Sequence, residues 1–132
     1  MTEEFRFELV SPERVLASEE ADAVDLPASE GDMTAMRDHA ALITTLKPGL
    51  LRVKSHSGTR EFVVTGGFVE VSAEATTVLA EKAYAGDEIT DELIDGFVSD
   101  AEKRVSETEG AARDIAETRL ACMKSLRSEI TR

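Results

Sequence analysis

Apolar and polar residues alternate along the first two thirds of this 132-residue chain, and the period then changes. Phe5, Phe7 and Leu9 are separated by Arg6 and Glu8, the period-two pattern of a half-buried strand, and Ser11-Pro12 ends it. Val24 and Leu26 predict a short strand that stops at Pro27, and Ala28-Ser29-Glu30-Gly31-Asp32 is turn chemistry. Leu42, Ile43 and Leu46 lead into a second turn, Lys47-Pro48-Gly49. Leu50, Leu51 and Val53 follow, and Ser55-His56-Ser57-Gly58 predicts a hairpin-like loop before the strand Phe62-Val63-Val64. Gly66-Gly67 predicts a bulge or a close backbone approach. Val69 and Val71 continue the sheet, and Val78, Leu79 and Ala80 are expected to close it. Short strands separated by turns at intervals of about 8–12 residues indicate a sandwich or a barrel.

Near Gly86 the period lengthens. Thr90 is placed to cap a helix, with Asp91 and Glu92 in the first turn, where acids favour the helix dipole. Ile89, Leu93, Phe97, Ala101 and Val105 recur every four residues, and Ile94 and Val98 widen the stripe. Residues 106–110 interrupt the pattern, and a second stripe follows with Ala112, Ala116, Leu120, Met123, Leu126 and Ile130. Two amphipathic helices joined by a short turn predict an antiparallel two-helix hairpin. The expected organisation is a β domain over residues 1–86 and a helical domain over 87–132.

Charge sharpens the second region. Residues 87–109 hold nine acids and two bases, whereas residues 110–132 hold three acids and five bases. Antiparallel packing would pair these charges across the helix flanks; a basic second helix would also suit an acidic partner surface. The whole chain carries a formal charge of −12, which repels nucleic acid and anionic lipid. Cys122 is the single cysteine, so neither a disulfide framework nor a Cys-based zinc site is expected. The N-terminus lacks the basic and apolar regions of a signal peptide, and no apolar run approaches the length of a membrane span. No direct membrane insertion is expected.

The chemistry-bearing residues form no catalytic set. His56 lies among Ser55, Ser57 and Gly58, as a solvated turn residue would, and His39 lacks the partner a general base needs. No phosphate-binding Gly-rich loop is present, and no helix follows Gly66-Gly67 to make a dinucleotide turn. The acidic pairs lack the spacing of a calcium loop, and Cys122 beside Met123 reads as a small core hydrophobe. No cofactor and no metal are expected.

Four blocks in order carry a resemblance. Phe5 to Glu13, Ser29-Glu30-Gly31-Asp32, His39-Ala40-Ala41-Leu42-Ile43-Thr44 and Gly66-Gly67-Phe68-Val69-Glu70-Val71 resemble the ε subunit of bacterial F-type ATP synthase, whose mitochondrial counterpart is called δ. The resemblance is good over residues 5–84. It implies an N-terminal β-sandwich followed by a C-terminal antiparallel two-helix hairpin. It also implies a non-catalytic rotor subunit of the central stalk, linking γ to the c-ring and coupling proton translocation to ATP synthesis. The c-ring contact would fall on Ser29, Glu30, Gly31 and Asp32, facing polar, basic loops. The γ contact would fall on Ser11, His39, Ala40, Ala41, Leu42 and Thr44. Ala41 stands where the family has proline, so that turn loses a fixed φ.

The hairpin of many relatives extends into F1 and blocks ATP hydrolysis. The α/β subunits would then be partners, and here Arg113, Arg119, Lys124, Arg127 and Arg132 would face an acidic loop of the catalytic β subunit. Some relatives bind ATP through Ile-Asp-x-x-Arg-Ala; with Ile89 on that Ile, Thr90, Leu93 and Ile94 replace the Asp, Arg and Ala. The phosphate-binding cation is missing, so no tight ATP binding is expected. The implied location is peripheral, on the cytoplasmic face of the inner membrane as part of F1. An adaptor with a β domain for one partner and a helical hairpin for another is the competing reading; a small acidic hydrolase is a third.

Overall fold

The alternating segments fold as ten strands in two five-stranded sheets, and the computed structural model describes residues 4–129. The strands are β1 (Phe5–Val10), β2 (Val15–Ala21), β3 (Ala23–Leu26), β4 (Met33–Met36), β5 (Leu42–Leu46), β6 (Gly49–Ser55), β7 (Gly58–Val64), β8 (Gly67–Val71), β9 (Ala75–Ala80) and β10 (Ala83–Ala85). The first sheet runs β2-β1-β9-β8-β5 and the second β10-β7-β6-β3-β4. Among the described strands only β1 and β9 pair in parallel, with Phe7 beside Thr76. The sandwich closes because the inward residues of both sheets share one core. Phe7, Leu9, Val69 and Val78 come from the first sheet, and Val24, Leu26, Leu51, Val53 and Phe62 from the second.

The strands differ from the sequence pattern at β2, β4, β9 and β10. Strand β9 does not close the domain: it lies at the centre of the first sheet, and β10 follows it. Strand β2 escapes the period-two reading because its register with β1 shifts between Leu9 and Val10, where Val10 pairs with Val15 and Leu9 with Ala17. Strand β10 has three residues, too few to show a period. The expected close approach at Gly67 is present. A Cβ there would stand 2.2 Å from the carbonyl oxygen of Leu79, and its φ of +138° also favours glycine.

The chain divides into two compact units, Met1–Asp87 and Glu88–Arg132. The second holds helices α1 (Asp91–Ser106) and α2 (Gly110–Glu129). The Thr90 hydroxyl accepts from the Leu93 amide at 3.1 Å and so caps α1. Arg127, late in α2, donates to Asp95, early in α1, so the helices run antiparallel. Ile94, Ala101, Ala116, Met123 and Leu126 are buried along their seam. Ala112, expected on that stripe, is exposed; the seam starts one turn later, at Ala116. Ile130 and Arg132 lie outside the described residues.

Candidate functional site

The acidic turn is pinned to the edge of the first sheet. The Lys47 amide donates to Pro27 O at 2.9 Å and the Ser29 amide to Thr45 O at 3.0 Å. The Ser29 and Thr45 hydroxyls lie 2.5 Å apart. Ala28 and Leu46 form an antiparallel bridge between these bonds. The turn then reverses, with the Gly31 amide donating to Ala28 O at 3.1 Å and Gly31 at φ +134°. Ser29, Glu30, Gly31 and Asp32 are all exposed. Lys47 stands 3.5 Å from Asp32 and offsets part of its charge, which leaves Glu30 the freer carboxylate.

The residues from His39 to Thr44 form the approach to β5 and its first half. Asp38 adopts φ +66° and its amide donates to Ala73 O at 2.8 Å, which fixes where the chain enters the strand. The His39 ring is 2.7 Å from Ala40 O, so Nδ1 carries the donated hydrogen. His39 and Thr44 are half-buried, and Ala40, Ala41 and Leu42 are exposed. Ser11 does not join them. It lies just past β1, three strand spacings or roughly 15 Å across the sheet from β5. It is only 6% exposed, and its hydroxyl donates to Arg14 O at 3.3 Å.

Sequence reading missed the apolar stripe on the outer face of the first sheet. Thr45 pairs with Phe68, Phe68 with Leu79, Leu79 with Val10 and Val10 with Val15, one row across all five strands. Phe68 and Leu79 are each 56% exposed and Val15 is 64% exposed. A shallow groove of about 410 Å³ lies at the β5 end of the row, lined by Thr45, Leu46, Gly67, Phe68, Leu79, Ala80 and Glu81. In the neighbouring row Ile43 pairs with Glu70, Glu70 with Thr77 and Thr77 with Glu8, which puts two carboxylates along the flank of the stripe. The available signal was that Phe68-Val69 and Val78-Leu79 are apolar on both faces of a strand. Such pairs mean either two buried faces or one buried face and one meant for a partner.

The α2 cations occupy varied settings. Arg127 is engaged with Asp95, and Arg113 stands 3.8 Å from Glu117 on the same helix. Lys124 is exposed and Arg119 half-buried. Arg132 lies outside the described residues. Among the described residues no group of three or more His, Cys, Asp or Glu could hold a metal ion, and no helix is long and apolar enough to cross a membrane.

The fold class is thus a two-sheet β-sandwich with a two-helix hairpin, and its exposed stripe and pinned acidic turn are candidate contact surfaces. The model of the ATP synthase Delta/Epsilon chain beta-sandwich domain matches residues 4–86. An ATP synthase epsilon chain of Cereibacter sphaeroides is 48% identical over 123 residues, covering 93% of each chain. That of Rhodobacter capsulatus is 45% identical over 130 residues, covering 98% of each. A chain of the Euglena gracilis mitochondrial ATP synthase, solved with OSCP, F1 and c-ring, superposes with a TM-score of 0.77 at 21% identity, covering 99% of this chain and 84% of that one. A chain from the Tetrahymena thermophila central stalk and c-ring does so with a TM-score of 0.71 at 18% identity, covering 99% and 98%. The chain belongs to the ATP synthase epsilon chain family, a non-catalytic subunit of that complex.

Proposed function

We propose that this chain is the rotor subunit that joins γ to the c-ring and so couples proton translocation to ATP synthesis. The observation that carries the reading is the continuity of two unlike surfaces. Ser29, in the acidic turn, is bonded through backbone and side chain to Thr45, which heads the apolar stripe. A partner that buries Phe68 and Leu79 is thereby held at a fixed distance from one that meets Glu30. Torque transmission needs such stiffness, and ladder hydrogen bonds in a packed sandwich supply it. In this reading γ covers the stripe together with residues 39–44, and the polar, basic loops of the c-ring meet residues 29–32. The chain then sits on the cytoplasmic face of the membrane through its partners alone.

Pull-down of the tagged chain from detergent-solubilised membranes tests the assignment. Recovery of α, β, γ and c with ATPase activity is expected; recovery of the chain alone, or with unrelated proteins, overturns it in favour of the adaptor. Glu30→Lys is expected to keep γ and lose c-ring. Phe68→Glu is expected to lose γ.

A second role concerns the hairpin. Exposed Arg113 and Lys124 on α2 suit an acidic surface of the α/β subunits once the hairpin opens, and opening costs the Arg127–Asp95 pair. Deleting residues 87–132 is expected to raise ATP hydrolysis by reconstituted F1; an unchanged rate removes the inhibitory role.

A further inference from the structure

The two sheets have four outer strands, and one is unlike the rest. Proteins blunt sheet edges with charge, bulges or brevity, because an open row of N–H and C=O groups invites another strand. Strand β10 has three residues, and β4 has four, set between Asp32 and Arg37. Strand β2 carries Glu19 and Glu20 and an irregular register. Strand β5 reads Leu-Ile-Thr-Thr-Leu, with no charge and no bulge.

Half of that edge is already covered. Thr45 O and Lys47 N face away from β8, because they bond Ser29 N and Pro27 O. Backbone groups on a strand alternate sides with period two, so the N–H and C=O of Ile43 face the same open side. The covering segment turns back at Gly31 and does not reach Ile43. No backbone bond to Ile43 from that side is present among the described residues. Its side chain is 70% exposed, in the row beside the apolar stripe.

The geometry points to strand addition: the open half of β5 takes an extended, uncharged segment of γ, bonded to the N–H and C=O of Ile43. The inference rests on the γ contact proposed above and gives it a backbone mechanism. The occupant follows from position, because the open half-edge continues the covered half and adjoins the stripe assigned to γ. Affinity then comes from main-chain bonds, and choice of partner from the side chains packed on Ile43 and Phe68.

The test uses the full chain and purified γ. On the natural chain, amide exchange by NMR is expected to slow roughly a hundredfold at Ile43 on adding γ, while Thr44, already in the ladder to β8, stays protected throughout. Ile43→Pro, which removes the outward donor, is expected to weaken γ binding roughly tenfold or more, while Ile43→Val, which keeps the donor and most of the apolar side chain, changes binding about threefold or less. A tight complex in which the Ile43 amide exchanges as in the free chain overturns strand addition and leaves the γ contact standing. No complex at all overturns both. Protection of Ile43 by concentration-dependent dimers without γ assigns the edge to a second copy and also overturns it.

Discussion

The sandwich and the hairpin are held by different kinds of contact. In the sandwich Phe7 lies beside Thr76, and each inner strand is bonded on both sides and packed on one face. Removing any one strand exposes the rest. In the hairpin two helices meet along a narrow seam from Ile94 and Ala101 to Ala116, Met123 and Leu126, and even Ile115 is left 72% exposed. Non-local contacts make a stiff body whose outer residues keep fixed separations. A short local seam makes a part that can open at modest cost. A stiff platform suits the proposed γ and c-ring contacts, and a separable part suits a regulatory role.

The largest test breaks the platform. Gly67→Val forces a Cβ into the Leu79 carbonyl and should cost about 3 kcal/mol or more, seen as a lower urea midpoint or an unfolded sandwich. Leu126→Ala should cost the hairpin about 2–4 kcal/mol; amides of α1 and α2 should exchange faster while those of β1 and β9 do not change. Equal acceleration in both units would make them one cooperative body.

Smaller changes sharpen the contrast. The buried Thr76 hydroxyl, on the inner face of β9, has no hydrogen-bond partner among the described residues, so Thr76→Val should raise sandwich stability by about 1 kcal/mol, read from the melting curve. Thr90→Ala should lower hairpin stability by about 1 kcal/mol by uncapping α1, read from amide exchange in its first turn.

The smallest effect is electrostatic. Burial alone would raise the Asp25 carboxyl, but the Thr34 hydroxyl and the Lys54 ammonium outweigh it and hold the carboxyl below its ordinary value. A depressed carboxyl stabilises the fold above its unfolded pKa of about 3.9, and that contribution fades as pH falls through the lower folded value. Asp25→Asn should therefore cost a little stability at pH 7 and nothing in strong acid, by urea melts at both pH values.

Much of the fold was legible from local pattern. The alternation at Phe5, Phe7 and Leu9, the Thr90 cap and the break between Ser106 and Gly110 each depend on neighbours within a turn or a strand. The acidic turn was legible through its Glu30-Gly31-Asp32 chemistry, and its attachment to Thr45 was not. Strands β2, β4 and β10 were missed: β2 is irregular, Met-Thr-Ala-Met of β4 has no clean alternation, and β10 is too short for a period to show. Ser11 was grouped with His39 by resemblance, and the sheet order places three strand spacings between them.

The sequence by itself determined the strand-to-helix change near Gly86, the positions that must be turns, and the residue types that must be buried. Those follow from backbone preferences and side-chain periodicity, which act over a few residues. Only the tertiary structure decided that β1 pairs with β9. That pairing sets Val10 beside Leu79, which is itself beside Phe68, and makes one stripe of residues scattered from Val10 to Leu79 in the chain. Register between distant strands is chosen by the packing of the shared core, and no local pattern carries it.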